Sequence, residues 1–287
     1  MQPELIADYA CNTGENPLWH PDEGRLYWLD IPPGKLFRYD PATGHHELCF
    51  QADCAIGGFT LQADGALLFF MAGGAVKSWN DGTLETVFES LPDEEDNRFN
   101  DIIADPEGRV YCGTMSPPHR PGRLYRLDPD LSLTTVFEGI GTSNGMGFTP
   151  DRRAMYYTDT RTGRIDICDY DQATGALSNR RPFATVADPE TEGRPDGMTV
   201  DAEGCVWGAR WDGSRLVRYT SDGRLDREIA FPCKKVSSLI FGGPDLTDIY
   251  VTTAGGGKPD EGPGAGALFH LNLGIAGLPE FRSRIGL

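Results

Sequence analysis

Short runs of β-branched and aromatic residues, separated by Gly, Asp and Pro, recur along the whole chain. Many of them surround a turn of the form D-x-x-G, as in WHPDEGRLYWLD (19–30) and VDAEGCVWGAR (200–210). No stretch keeps the 3.6-residue apolar period of an amphipathic helix. The pattern therefore predicts an all-β protein.

The strand-and-turn unit recurs six times. Equivalent turn residues, which are 41, 43, 44, 52 and 42 residues apart, are Gly24, Gly65, Gly108, Arg152, Gly204 and Leu246. Four short strands per unit, at a period in the forties, are typical of a β-propeller blade. We predict a six-bladed β-propeller with four-stranded antiparallel blades around a central channel, forming one domain over residues 1–287. An irregular β-sandwich with coincidental turns is the alternative.

The start of the chain resembles the outer strands of the units. PELIADY (3–9) is similar to ETVFES (85–90), TTVFEG (134–139) and REIAFP (227–232). Pairing this segment with the last blade would close the ring and remove exposed sheet edges. We therefore expect the N-terminal segment to complete the sixth blade.

One position in each unit faces the channel axis. It lies eight residues before the turn residue, or nine in the first unit, and is occupied by Glu15, Gly57, Asn100, Asn144, Asp196 and Ser238. Each of these residues stands just before an innermost strand. Because the innermost strands enter the channel from the same face, we expect the six side chains to point towards one another.

Four of these positions carry oxygen atoms that suit a hard cation: Glu15, Asn100, Asn144 and Asp196. Two carboxylates brought together are unfavourable unless a cation or a proton neutralises the pair. Oxygen-only ligation favours Ca²⁺, Mg²⁺ or Mn²⁺. The alternative is a ring of solvated polar residues at the channel mouth.

Charge, apolar runs and cysteine content limit the possible binding partners and the cellular location. The net charge is −17, with 43 acidic and 26 basic residues, which disfavours binding to nucleic acid or to anionic membranes. The longest nearly uncharged apolar run, Gly65 to Val76, is too short to span a bilayer. The first 17 residues lack the features of a signal peptide, and the seven cysteines form no CxxC motif, so we expect a cytoplasmic protein. The acidic run 93–96 is expected to be a solvated loop.

Six short motifs, in this order and spacing, are GENP (14–17), RFND (98–101), CGTM (112–115), SNGMGF (143–148), RPDGM (194–198) and GLPE (277–280). Over essentially its whole length the sequence resembles the senescence-marker/regucalcin/gluconolactonase family of six-bladed propellers. Members bind one catalytic divalent metal ion through a Glu, an Asn and an Asp, and the resemblance assigns these roles to Glu15, Asn144 and Asp196. It also implies substrate-binding roles for Arg98 and Asn100. A surface ion pair with the acidic run is the alternative for Arg98.

The resemblance implies hydrolysis of a sugar lactone, such as glucono-, xylono- or arabinolactone, to the aldonic acid. The metal would polarise the carbonyl group, and Asp196 would be the general base for the attacking water. In the alternative mechanism, hydroxide on the metal attacks and Asp196 is only a ligand. Ca, Mg, Mn, Zn and Fe all stay open as the metal.

Two other functions are compatible with the same residues. One is a phosphotriesterase or esterase on the same metal site, and the other is a non-catalytic calcium-binding propeller. The segment SPPHRPG (116–122) departs from animal members, which carry a sugar-contacting Glu after the GTM motif, so the identity of the sugar stays open. We expect a small-molecule substrate and a monomer or small homo-oligomer.

Overall fold

The computed structural model describes residues 2–91 and 93–287, which form six four-stranded antiparallel sheets arranged in a ring. Strand β1 (Glu4–Asp8) comes first in the chain. The first blade contains β2 (Gly14–His20), β3 (Arg25–Asp30), β4 (Lys35–Asp40) and β5 (His45–Gln51). The second contains β6 (Ile56–Leu61), β7 (Leu67–Met71), β8 (Val76–Asn80) and β9 (Thr83–Phe88). The third contains β10 (Phe99–Ala104), β11 (Val110–Thr114), β12 (Gly122–Leu127) and β13 (Leu133–Ile140).

The other three blades continue the series. The fourth contains β14 (Ser143–Phe148), β15 (Ala154–Asp159), β16 (Arg164–Asp171) and β17 (Ala176–Thr185). The fifth contains β18 (Arg194–Val200), β19 (Val206–Trp211), β20 (Arg215–Tyr219) and β21 (Leu225–Ala230). The sixth contains β22 (Val236–Gly242), β23 (Asp248–Thr253) and β24 (Ala267–Asn272). The predicted six-bladed β-propeller is confirmed.

Helical structure in the described ranges is limited to short segments. They are the helix α1 (Pro189–Glu192) and the 3₁₀ turns Thr160–Thr162 and Pro259–Glu261. No helix there has the length and apolar character needed to cross a bilayer.

The ring is closed by strand β1, which pairs antiparallel with β24 and becomes the outer strand of the sixth blade. This confirms the expectation for the N-terminal segment. Closing the ring in this way joins the first and last parts of the chain in one sheet, so no blade in the ring lacks a fourth strand.

The six turn residues aligned from the sequence share one backbone conformation. Their φ angles are all positive, at 64° for Gly24, 91° for Gly65, 85° for Gly108, 57° for Arg152, 81° for Gly204 and 53° for Leu246. Glycine adopts this left-handed region readily, whereas a side chain there costs on the order of 1–2 kcal/mol. The six repeats therefore keep the same turn even where the glycine has been replaced.

Every innermost strand is irregular near its start. The pairing of the first strand with the second shifts register in all six blades, between Glu15 and Leu18, Ile56 and Gly58, Phe99 and Ile102, Asn144 and Met146, Pro195 and Met198, and Val236 and Ser238. These β-bulges coincide with the six positions predicted to face the axis. A bulge redirects a side chain at the cost of local pairing, and bulges are frequent next to functional sites.

The segment after β24 covers the opposite end of the channel, where the innermost strands finish. Gly277 N donates to Leu246 O at 2.7 Å, and Ser283 N donates to Leu61 O at 2.9 Å. Arg284 N then donates to Gly108 O at 2.9 Å. The tail thus crosses from the sixth blade to the second and third.

Candidate active site at the start of the innermost strands

A cavity of about 340 Å³ opens at the end of the channel where the innermost strands begin. All five sequence-predicted site residues line it: Glu15, Arg98, Asn100, Asn144 and Asp196. The remaining wall contains Thr13, Met115, Thr142, Thr160, Arg161, Arg194 and Trp211. The structure therefore brings the predicted residues together, and the volume is in the range of small-molecule sites.

The glycines that follow Asn144 and Asp196 allow adjacent blades to approach closely. A Cβ on Gly145 would lie 2.5 Å from Asp196 O, and a Cβ on Gly197 would lie 2.2 Å from Ser238 Oγ. In isolation Pro195-Asp196-Gly197 is typical of a turn, yet it lies within strand β18. The glycine is needed here for close packing around the channel.

Asn144 connects two blades through its amide group. Its Nδ2 donates to Thr160 Oγ1 at 3.0 Å and also to Asp196 Oδ1. Thr160 Oγ1 in turn donates to Pro195 O at 2.9 Å. Asn144 and Asp196 are both only 5% exposed, so this network holds the two side chains in a fixed relation.

The two carboxylates of the site are electrostatically unfavourable by themselves. Burial raises the pKa of Glu15 well above its usual range, and the carboxylates of Asp196 and Asp101 raise it further. Burial and then Asp101 likewise raise the pKa of Asp196. Ionising both groups at neutral pH therefore requires a compensating positive charge in the cavity.

Arg98 supplies part of that charge without forming an ion pair. Its Nη1 donates to Phe99 O and to Asn100 Oδ1, both at 2.8 Å, and Asn100 Nδ2 donates to Ser143 O at 2.8 Å. Burial lowers the pKa of Arg98, whereas Glu15 and Asp196 act in the opposite direction. Within residues 2–91 and 93–287 no carboxylate pairs directly with Arg98, so the surface ion-pair alternative is wrong.

Three oxygen atoms of the site lack a protein donor in the part of the chain that the structure describes. Glu15 accepts from Asn16 N through Oε2, which leaves Oε1. Asp196 accepts through Oδ1, which leaves Oδ2, and Asn144 uses only its nitrogen, which leaves Oδ1. Two carboxylate oxygens and one amide oxygen, from three residues that line the same cavity, are a donor set that fits a divalent cation.

A second acidic group, formed by Asp201, Glu203 and Cys205, has ligand atoms close together. Asp201 already accepts from Trp207 Nε1 and Arg218 Nε, both at 2.8 Å, and Arg218 also pairs with Glu203. Because this arginine neutralises the carboxylates, the group stabilises the fifth blade. This group therefore differs from the oxygen atoms of Glu15, Asn144 and Asp196 described above.

The acidic run 93–96 is exposed at Asp93, Glu95 and Asp96, as expected of a solvated loop, but not at Glu94. Glu94 is only 1% exposed, and its Oε1 accepts from Arg120 Nη1 at 3.2 Å and from Tyr125 OH at 2.8 Å. His119 Nε2 also lies 2.8 Å from Asp96 Oδ2. The 116–122 segment, next to the cavity residue Met115, is thus tied to the acidic run by ion pairs.

Sequence reasoning missed several residues around the predicted set. Asn16, at φ 48°, accepts through Oδ1 from Phe59 N of the next blade at 2.7 Å. Thr160 and Arg161 line the cavity from the turn after β15. Asn16 follows a predicted ligand directly and could have been predicted from the sequence. Thr160 and Arg161 lie at the end of another strand, and no sequence motif identified them.

The chain is a six-bladed β-propeller with a cavity lined by acidic and amide side chains at one end of the channel. Comparison with known proteins identifies the family. The chain belongs to the SMP-30/gluconolactonase/LRE-like family, whose sequence model matches residues 13–255.

The similarity to known relatives extends over nearly the whole chain. It is 49% identical to pentonolactonase XacC of Haloferax volcanii over 290 residues, covering 98% of each protein. It is 34% identical to the putative sugar lactone lactonase YvrE of Bacillus subtilis over 284 residues, covering 96% of this chain and 97% of that one. The crystal structure of a calcium-binding protein, regucalcin, from Agrobacterium tumefaciens superimposes with a TM-score of 0.88 at 26% identity, covering 99% and 97% of the two chains.

Proposed function

We propose that this protein hydrolyses a sugar lactone to the aldonic acid, with Glu15, Asn144 and Asp196 holding one divalent cation. The observation that carries the proposal is a set of three oxygens, from residues that line the cavity, which have no protein donor among residues 2–91 and 93–287. The lactonase names of two relatives support a hydrolase that acts on lactones. Ca, Mg, Mn, Zn and Fe are all retained as candidates for the ion.

A bound divalent cation would act as a Lewis acid that polarises the lactone carbonyl and stabilises negative charge on its oxygen. The carboxylate of Asp196, which also accepts a hydrogen bond from Asn144 through Oδ1, would accept the proton from the attacking water. The oxygen of the water forms a bond to the carbonyl carbon, and the bond between that carbon and the ring oxygen breaks. The ring oxygen then takes back the proton held by Asp196 and becomes a hydroxyl group of the aldonic acid.

Arg98 and Asn100 orient the substrate. Both hydrogen bonds that Arg98 makes within the described part of the chain use Nη1, which leaves other donors of the guanidinium for ring hydroxyls. The planar fork of an arginine suits a polyol better than a single ammonium group does.

We further propose a cytoplasmic protein whose partner is a small molecule. The net charge of −17 is unfavourable for binding nucleic acid or an anionic membrane. We also infer that residues 1–287 form one propeller domain that acts as a monomer or small homo-oligomer. Size-exclusion chromatography with light scattering, and a single cooperative melting transition, would test these two statements.

The test of function is proton release on lactone hydrolysis by EDTA-stripped protein, with each divalent metal added back separately. The panel contains glucono-δ-lactone, xylonolactone, arabinolactone, a phosphotriester and an aryl ester, each corrected for spontaneous hydrolysis. We expect metal-dependent turnover of at least one sugar lactone. Turnover of only the phosphotriester or the aryl ester would show that the protein is an esterase on the same metal site and not a sugar lactonase. Metal binding without any turnover would favour a non-catalytic calcium-binding propeller.

A further inference from the structure

We propose that Thr160 is a positioning residue that fixes which atom of Asn144 faces the cation. This inference rests on the proposed function, since it assumes that Asn144 is a ligand. It adds a residue on a different strand end from the three proposed ligands. The hydroxyl of Thr160 lies between Asn144 and the backbone of the fifth blade.

The direction of the hydrogen bonds follows from the chemistry of the partners. Pro195 O is a carbonyl oxygen and only accepts, so the Thr160 hydroxyl uses its single proton in that 2.9 Å bond. Its oxygen then offers only lone pairs to Asn144, 3.0 Å away. Asn144 must therefore direct its NH₂ group towards Thr160, and its Oδ1 away from it.

The backbone around Thr160 keeps the hydroxyl in place. Thr160 begins a 3₁₀ turn that is capped by the side chain of Asp159, which also accepts from Gly141 N and Thr142 N at 3.0 Å. Thr160 N itself donates to Thr142 O at 3.1 Å. The acceptor that orients Asn144 is thus attached to a well-anchored turn.

The orientation matters because the two ends of an amide group have opposite charge. An amide oxygen is a ligand for a divalent cation, whereas an NH₂ group directed at the cation is repelled. Asp196 restrains the same NH₂ group, but Asp196 is itself a proposed ligand. Thr160 restrains the NH₂ group without being a proposed ligand itself. It therefore has the same role as the residues that orient metal ligands from outside the coordination sphere in other sites.

The experiment measures Ca²⁺ and Mn²⁺ affinity by calorimetric titration of EDTA-stripped protein. Thr160→Val removes the hydroxyl at nearly constant volume, and we expect it to weaken metal binding by about 10–100-fold. Thr160→Ser should restore near-normal affinity. The matched control is Thr142→Val, because Thr142 lines the same cavity but bonds only to Gly141 O through its hydroxyl.

A second background separates orientation from simple packing. In Asn144→Asp the side chain has two equivalent oxygens, so Thr160→Val should cause no further loss of affinity. Equal losses in both backgrounds, or unchanged affinity of Thr160→Val, would refute the orienting role while leaving the proposed function intact. If Thr160→Val does not fold, Thr160→Ala serves in the same pair of backgrounds. Absence of metal binding by the wild-type protein would instead contradict the proposed function and, with it, this role.

Discussion

The two ends of the central channel both carry paired carboxyl groups, but in different surroundings. Glu15 and Asp196 line the open cavity of about 340 Å³ together with arginine, asparagine and threonine side chains. Asp101 and Glu280 line a second space of about 50 Å³ farther along the innermost strands, beneath the C-terminal tail. The second space has room for only a few water molecules.

Electrostatics alone does not distinguish these ends. Burial raises the pKa of Asp101 to about 6, and burial together with Asp101 raises the pKa of Glu280 to about 7. Glu15 and Asp196 are shifted in the same direction for similar reasons. The proposed site is set apart by its amide and guanidinium partners and by space for a ligand, so an acidic pair is insufficient to define it.

The largest expected effect is on turnover at the open end. Asp196→Asn removes the proposed base and one anionic ligand at almost constant shape, and we expect lactone turnover to fall by about 10³-fold or more. The measurement is proton release at saturating metal, with circular dichroism to verify folding. Near-normal rates on every lactone would show that the open end is not the reaction site.

The next effect compares one chemical change at the two ends. Glu15→Gln replaces a charged oxygen with a neutral amide, and we expect metal affinity to fall on the order of 100-fold, since affinity follows ligand charge. Calorimetric titration measures this directly. Glu280→Gln is the matched variant, and a similar loss in it would place the cation at the closed end instead.

A smaller effect is expected from Arg98→Lys. A lysine cannot donate to Phe99 O, Asn100 Oδ1 and substrate in the same fork, so KM should rise about tenfold, equivalent to losing one charged hydrogen bond. Steady-state kinetics on the best lactone provides the value. Arg194→Lys is the control, because Arg194 is exposed and pairs with Glu190 at 2.7 Å; an equal change there would show that the effect does not depend on the hydrogen bonds of Arg98 to Phe99 O and Asn100 Oδ1.

The smallest effect concerns stability at the closed end. The folded pKa of Glu280 is raised from 4.5 to about 7, so its contribution to the free energy of unfolding is most favourable below pH 4.5 and is lost as the pH rises through 7. Glu280→Gln should therefore unfold at about 2–4 °C above the wild type at pH 8, for a gain of about 1 kcal/mol. At pH 4.5 the difference should disappear, and turnover should be unchanged. A variant that is less stable at pH 8 would contradict this account.

Much of the fold was predictable because it is written in local, repeated patterns. Short strands and D-x-x-G turns identified six blades, and the count back from each turn found Glu15, Asn144 and Asp196. The bulges explain why that count works, since each lies at the same place in its innermost strand. The expectation of a solvated acidic run holds for Asp93, Glu95 and Asp96 and is wrong for Glu94, because Glu94 is bound by Arg120 and Tyr125, which are distant in sequence.

By itself the sequence determined the repeat, the closure by the first strand and the residues that face the channel, because each depends on spacing within a blade. Within the described residues, only the tertiary structure decided which oxygens of the site remain without donors, since Asn144 of β14 donates to Thr160, 16 residues later in the turn after β15. It alone also decided that the C-terminal tail closes one end and leaves the other open. The Asn144–Asp196 hydrogen bond and the tail contacts join segments that are far apart in sequence, so they form only when the blades assemble into the ring.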